Sequence, residues 1–281
     1  MTDRPDTPFY RLLDLALGSL RPPPGRRRII IALIYGIICH VFFALAVGAM
    51  ILAMFFGMSR SFGNVPYPWA WAANLLLVLQ FPIVHSILLT KRGRGWMTKL
   101  APVGTGQTLG VTTYAIIASI QLFALFAFWS PTGTIWWEAT GWAFWAMCAA
   151  YTTSWLLLIW ASYSAGAEVQ SGALGWMSLI QDKKPKFPDM PTDGLFAIMR
   201  QPIYLSFALT TWTVPVWTPD QLFLASVLTG YCLTAPILKE RRFKKIYGDR
   251  FEDYQNSVPY MIPSLSRLMK ESNENGSSPT K

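Results

Sequence analysis

The chain has 281 residues, 52% of them hydrophobic and 14% charged, with 13 Trp and 17 Phe. Soluble domains carry about a quarter charged residues, so this composition excludes an ordinary soluble globule and indicates an all-α, polytopic transmembrane bundle. The net charge of +9 fits basic loops gathered on one side of a membrane. It does not indicate a nucleic-acid partner, because no stretch interleaves bases with aromatics as such a reader would.

The opening stretch MTDRPDTPFYRLLDLALGSLRPPPGRRR lacks the charged start, short apolar run and small-residue cleavage site of a signal peptide. Within it, residues 9–20 pattern as an amphipathic surface helix, stopped by Pro22, Pro23 and Pro24. Residues 1–28 are therefore read as a cytoplasmic N-terminal segment. Six apolar segments follow, at about 29–56, 69–89, 109–129, 141–162, 203–217 and 222–238. A helix needs about 18–20 apolar residues to cross a bilayer. The last two segments are short, and TPDQ (218–221) joins them as a tight helical hairpin.

The loops orient this set. Arg26, Arg27 and Arg28 precede the first segment, and Lys91, Arg92, Arg94 and Lys99 follow the second. Lys183, Lys184 and Lys186 follow the fourth, and Lys239, Arg241, Arg242, Lys244 and Lys245 follow the sixth. The opposite loops hold Arg60, Glu138 and Asp220. Basic residues accumulate on the cytoplasmic side, which puts both termini there. Residues 163–199 become a cytoplasmic segment whose KKPKFPDMPTDG stretch reads as an ordered loop or lid. Residues 29–263 form the membrane domain, and the polar end, 264–281, reads as a disordered tail.

Few polar residues interrupt the apolar runs. Cys39, Cys148 and Cys232 have no CxxC or metal-like spacing and read as small buried hydrophobes, so no metal site is expected. GTGQTLG (104–110) follows no strand and has the wrong spacing for a dinucleotide loop. Intramembrane ionisable groups need a reason. His40 and His85 each lie in an apolar run. Either they hydrogen-bond to neighbouring helices, or the pair ligates a haem iron axially.

A second polar set comprises Arg200, Gln201, Tyr204 and Ser206, then Glu240, Arg241 and Arg242. A short hairpin turn brings these two distant stretches side by side. Pro202 suits the first turn of a helix. The N–H groups of that turn, with Arg200, favour a carboxylate or phosphate, and Glu240 could accept from an ammonium or from ribose hydroxyls. The plainer alternative is that Arg and Glu pair with each other at the interface.

The stretch MRQPIYLS, followed after the hairpin by KERRFKKIYGDRFEDYQNSVPYMIP, resembles the C-terminal signature of isoprenylcysteine carboxyl methyltransferase-like membrane methyltransferases. NLLLVLQFPIVHSILLTKRGRGWMTKLAP is similar to the His-Ser motif and basic-aromatic loop of the NnrU and methanethiol S-methyltransferase family. The resemblance covers about residues 28–263. It implies S-adenosyl-L-methionine as cofactor, bound on the cytoplasmic side of the last hairpin, and a small hydrophobic thiol as substrate, in the bacterial inner membrane. Arg200, Pro202 and Tyr204 match the first motif, Glu240 and Arg241 the second, and Tyr247, Gly248 and Tyr254 the following stretch. Pro259 and Pro263 match the closing segment.

Carried over in this way, Arg200, Gln201, Pro202, Tyr204, Glu240, Arg241, Tyr247 and Tyr254 bind cofactor. Glu240 and His85 are the candidate catalytic groups. Three positions depart from the pattern: the motif His is Gln201, the motif Gly is Ser206, and the first of two paired acids is Lys239, which adds positive charge near a sulfonium. Methyl transfer from a sulfonium needs alignment more than elaborate acid–base chemistry. Combining it with a thiolate neutralises charge, so a dry pocket does not oppose the reaction. The other readings are a haem-binding NnrU-like protein using His40 and His85, a lipid or prenylcysteine methyltransferase, and a non-catalytic member.

Overall fold

A computed structural model of the chain describes residues 7–263. The tail expected at 264–281 lies outside the described residues. Among those described, five helices are long and apolar enough to cross a membrane: α2 (Arg26–Phe55), α3 (Trp69–Leu88), α5 (Gly106–Ala127), α6 (Gly141–Ser164) and α11 (Pro219–Tyr247). Short helices complete the set: α1 (Pro8–Leu20), α4 (Lys91–Leu100), α7 (Ala167–Gln170), α8 (Ala173–Ile180), α9 (Leu195–Ile198), α10 (Pro202–Trp212) and α12 (Asp249–Ser257). The bundle is all-α apart from one two-residue pairing of β1 (Trp137–Glu138) with β2 (Val216–Trp217).

The expected fifth span is not a full helix. It is α10, 11 residues long, followed by extended chain that reaches β2. At about 1.5 Å per residue an 11-residue helix covers only about half a bilayer core. The extended part completes the traverse, and β2 pairs with β1 at the far end of the bundle. Non-helical backbone at membrane depth must be covered by protein, and Val214, Val216 and Thr218 are buried here. Six traverses therefore remain, five of them as long helices.

The far end is tied by buried polar contacts. The Thr218 hydroxyl donates to the Gly57 carbonyl at 2.5 Å. Asp220, in the first turn of α11, accepts from Trp129 Nε1 at 2.9 Å and from the Thr132 backbone N–H at 2.9 Å. The core between the two ends is apolar, with Met54, Leu125, Phe126, Trp129, Leu224 and Leu228 fully buried. All four basic clusters lie at the opposite end, as do both ends of the described chain. There Arg28 pairs with Asp182 at 2.6 Å.

Within residues 163–199, read from sequence as a cytoplasmic segment, residues 165–182 pack against the bundle. α8 packs against α1, α2 and α5, and α7 against α1 and α6. The reason is local. Gly166 (φ 102°) and Gly172 (φ 77°) make left-handed turns open to glycine. A Cβ at Gly172 would stand 2.5 Å from the Ala115 Cβ. The Thr112 hydroxyl donates to the Gly172 carbonyl at 2.7 Å and accepts from the Trp176 N–H at 3.0 Å. The Cys39 thiol donates to the Ser171 carbonyl. The buried backbone of this re-entrant piece is thus satisfied by side chains of α2 and α5.

The close approach yields a prediction. A Cβ at Gly175 would meet Thr112 Oγ at 2.4 Å and the Thr108 carbonyl at 2.9 Å. Gly175→Ala is expected to destabilise the protein by about 1–3 kcal/mol, read as a lower thermal unfolding midpoint in detergent.

Candidate functional site

The site forms where α10 begins and α11 leaves the bundle. Pro202 occupies the first turn of α10 and Gln201 its N-cap. The backbone N–H of Arg200 donates to the Pro259 carbonyl at 2.9 Å, and that of Gln201 to Tyr260 at 3.1 Å. Residues 259–260 are therefore zipped to the start of α10. Arg200 Nε donates to Glu240 Oε1 at 2.9 Å, and both side chains are about nine-tenths buried. Another Arg200 nitrogen donates to the carbonyls of Gln255 and Val258. Gln201 Nε2 donates to Glu240 Oε1 at 2.7 Å, and Gln255 Nε2 to Glu240 Oε2 at 3.1 Å. Glu240 is the hub of a clamp joining α10, α11 and the segment around α12. A multiply satisfied buried pair of this kind is stable only while complete.

Lys239 stands beside this hub. Its ammonium donates to Gln201 Oε1 at 3.4 Å. It also faces the rings of Phe243, Phe196 and Tyr204, at 5.3, 5.7 and 5.9 Å from their centroids. Two of the three motif departures are therefore partners: Gln201 gives its amide N–H to Glu240 and its oxygen to Lys239. Ser206, the third, is buried on α10. The Tyr254 hydroxyl donates to the Phe196 carbonyl at 2.7 Å and fixes the cage wall.

Lys239 and Tyr204 also line a cavity of about 620 Å³. Its wall includes His85 from α3, Arg94 and Met97 from α4, Tyr114 from α5 and Gln170 from α7. His85 Nε2 lies 2.5 Å from the Tyr114 hydroxyl, and the two rings pack at 4.8 Å. His85 Nδ1 is buried with no hydrogen-bond partner. Pro82, one turn before His85, and Pro236, one turn before Lys239 and Glu240, interrupt the helix ladders next to these side chains.

Arg200, Gln201, Pro202 and Glu240 come together, with Tyr204 and His85 on the adjoining cavity. Arg241 is exposed outside the cluster. Tyr247 is half-buried against Phe243 and lines neither the cavity nor the clamp. The two histidines serve separate neighbours: His40 Nε2 accepts from Trp176 Nε1 at 3.1 Å and does not line the cavity. No group of three or more metal-ligating side chains occurs among the described residues.

Tyr114, Gln170, Gln255, Phe196 and Phe243 were not singled out from sequence. Gln255 stands inside the FEDYQNSVPY stretch and was legible there. Tyr114 carried no signal beyond a phenol in an apolar run.

The loop before α9 is held over the clamp by Arg250, which pairs with Asp189 at 2.6 Å. The Arg250 hydrogen bond, with the Met190 N–H, holds the Asp189 carboxyl below its ordinary 3.8. A depressed carboxyl pKa stabilises the fold above the unfolded value and loses that contribution as pH falls through the folded one. Hydrogen exchange around 183–194 is thus expected to rise on acidification below about pH 4. Asp189→Asn should give the same rise at pH 7.

The fold and site define a multi-pass helical membrane protein with a closed polar hub beside an aromatic-lined cavity at its basic end. Over most of its length the chain is similar to proteins named methanethiol S-methyltransferase. It is 27% identical over 259 residues to methanethiol S-methyltransferase 1 of Bradyrhizobium diazoefficiens, covering 89% of each chain. It is 24% identical over 242 residues to the methanethiol S-methyltransferase of Pseudomonas sp. strain GM41(2012), covering 84% of this chain and 91% of that one. Nurim of Rattus norvegicus is 27% identical over 176 residues, covering 58% of this chain and 63% of its own. No family model and no solved structure matches the chain.

Proposed function

We propose that the chain is an integral-membrane, S-adenosylmethionine-dependent methyltransferase of the bacterial inner membrane that converts a small thiol such as methanethiol to a thioether. The observation that carries this reading is the cavity of about 620 Å³, which unites His85 and Tyr114 with Tyr204 and Lys239 beside the Arg200–Glu240 clamp. Its size falls in the range of about 300–1,000 Å³ that holds small ligands and cofactors. The similarity to the named methyltransferases supports the same reading.

The residues present fit the cofactor. The first-turn N–H groups of α10, at Ile203 and Tyr204, have no intrahelical partner and face the positive end of a helix, which suits a carboxylate. Aromatic faces suit a sulfonium. When bound, S-adenosylmethionine supplies an electrophilic methyl group on a sulfonium.

The chain's residues do the rest. We assign Arg200 and Glu240 to positioning, because three Arg200 nitrogens and both Glu240 oxygens are already engaged. They lock the start of α10 where Tyr204 enters the cavity. His85 takes the thiol proton. With its own proton on Nε2 toward Tyr114, Nδ1 carries the lone pair; it has no hydrogen-bond partner and is covered, so a turn of the ring must present it to the cavity that His85 lines. The thiolate, not the thiol, is the nucleophile. The largely apolar part of the wall holds the acceptor in line with the methyl group.

The test is calorimetric titration of the detergent-purified protein with S-adenosylmethionine and S-adenosylhomocysteine, beside thioether formation from methanethiol. Binding of both with turnover supports the reading. Absence of binding and turnover overturns it.

A further inference from the structure

A further cavity, of about 310 Å³, lies at the basic end of the bundle, between α1, α8 and the chain that follows α8. It shares no lining residue with the main cavity; Glu168 of α7 lines the one, Val169 and Gln170 of α7 the other. Two segments build it. α1 exposes Phe9, Leu17 and Leu20 on one face and turns Arg11 and Leu15 toward the cavity. A helix divided in this way lies in the membrane interface, its apolar face toward the acyl chains. Gln181, just past α8, fastens it: Nε2 donates to the Leu15 carbonyl at 2.9 Å and to the Ser19 hydroxyl at 3.3 Å. Gly18 makes room for this contact, since a Cβ there would stand 2.2 Å from Gln181 Oε1. Beyond Gln181 no helix continues, Pro185 favours extended chain before it, and Lys183, Lys184 and Lys186 all line the cavity.

The charges on this wall do not cancel. Arg11 pairs with the covered Glu168 at 3.0 Å. Asp14 is the other acid on the wall, against the three lysines. Among the described residues none of these lysines is ion-paired to a carboxylate, and Lys183 bonds to the neutral Gln181 Oε1 at 3.3 Å. Basic residues at this end follow from orientation alone. These three differ from the rest in converging on one cavity beside an interfacial helix.

We propose that this cavity binds the phosphate-bearing headgroup of an anionic glycerophospholipid. Lys183, Lys184 and Lys186 hold the phosphate oxygens through charge-assisted hydrogen bonds. Basic pockets at this side of a membrane bundle suit such headgroups, and the exposed apolar face of α1 sets the cavity at the depth where they lie. Its volume is at the lower end of the range of about 300–1,000 Å³ that holds small ligands, more than a lone ion needs. The inference does not rest on the methyltransferase reading, because none of these residues belongs to the main cavity or to the clamp.

The experiment is native mass spectrometry of the intact, detergent-purified chain, titrated with short-chain phosphatidylglycerol, short-chain phosphatidylcholine and inorganic phosphate. Phosphatidylglycerol is expected to bind at least about tenfold more tightly than phosphatidylcholine. A triple variant, Lys183→Gln with Lys184→Gln and Lys186→Gln, changes exposed side chains and should weaken phosphatidylglycerol by at least about tenfold while leaving phosphatidylcholine unchanged. A second triple variant, Lys91→Gln with Arg92→Gln and Lys99→Gln, removes as much charge from the same end of the bundle and should keep the preference. Equal losses in the two triple variants would assign the preference to the general charge of that end and overturn the proposal. Equal binding of the two lipids by the wild type would overturn it as well. Inorganic phosphate should not displace the lipid; displacement would assign the cavity to a free phosphate and overturn the lipid assignment.

Discussion

Glu240→Ala is expected to abolish measurable methyl transfer and to destabilise the protein by about 3–5 kcal/mol, the usual cost of leaving one partner of a buried pair uncompensated. Glu240 accepts from Arg200, Gln201 and Gln255, so one truncation strands three donors in a site where Arg200 and Glu240 are about one-tenth exposed. Arg200 would keep its bonds to the Gln255 and Val258 carbonyls but carry an unpaired charge. The segment at Pro259 and Tyr260 would then loosen from the start of α10. The checks are the thermal midpoint and the rate of proteolysis near residues 255–260. Glu240→Gln keeps an acceptor for Gln201 and loses the charge facing Arg200, so it should fall between wild type and Ala. A group that merely abstracts a proton would give Gln and Ala the same loss of turnover with little change in stability.

His85→Asn should act differently. Loss of a general base costs about 10²–10⁴-fold in rate. We expect turnover to fall by at least about 100-fold, with cofactor affinity changed by less than about threefold. The reason is placement. His85 lies on α3, away from the clamp; its ring packs against Phe81 and against Tyr114, which lines the cavity with it. Asn can still bond to the Tyr114 hydroxyl but cannot accept a proton near neutral pH. Rate measured against pH separates the roles: the variant should become faster at alkaline pH, where the thiol ionises unaided. A variant that loses rate equally at all pH values would mark His85 as structural.

The two sites differ in how much of them the sequence displays. Hydropathy exposes the spans because a bilayer demands long apolar runs. The Arg200–Glu240 adjacency was readable because a tight far-end turn must return the chain to the depth it left. Even so, the residues at 203–217 did not declare that half their traverse is extended, since only burial by neighbouring chain makes that tolerable. The re-entrant piece at 165–182 was hidden for a related reason. Its apolar stretch ALGWMSLI is too short to signal a span, and its insertion depends on Thr112 and Cys39, which come from two other helices. The cage around Lys239 was likewise invisible, because its rings stand on α9, α10 and α11 and meet only in the folded chain. Lys239 and Gln201 looked like separate defects in a motif and are in fact bonded neighbours.

The central claim is that this cavity transfers a methyl group to a small thiol. The most direct measurement is headspace gas chromatography with mass detection, using the detergent-purified chain, methanethiol and S-adenosylmethionine labelled in its methyl group with deuterium. The account predicts labelled dimethyl sulfide from wild type, and its near disappearance in His85→Asn. Cofactor binding without any labelled thioether from methanethiol or other small thiols would contradict it, and label appearing instead in lipid or a prenylated cysteine would move the protein to another acceptor.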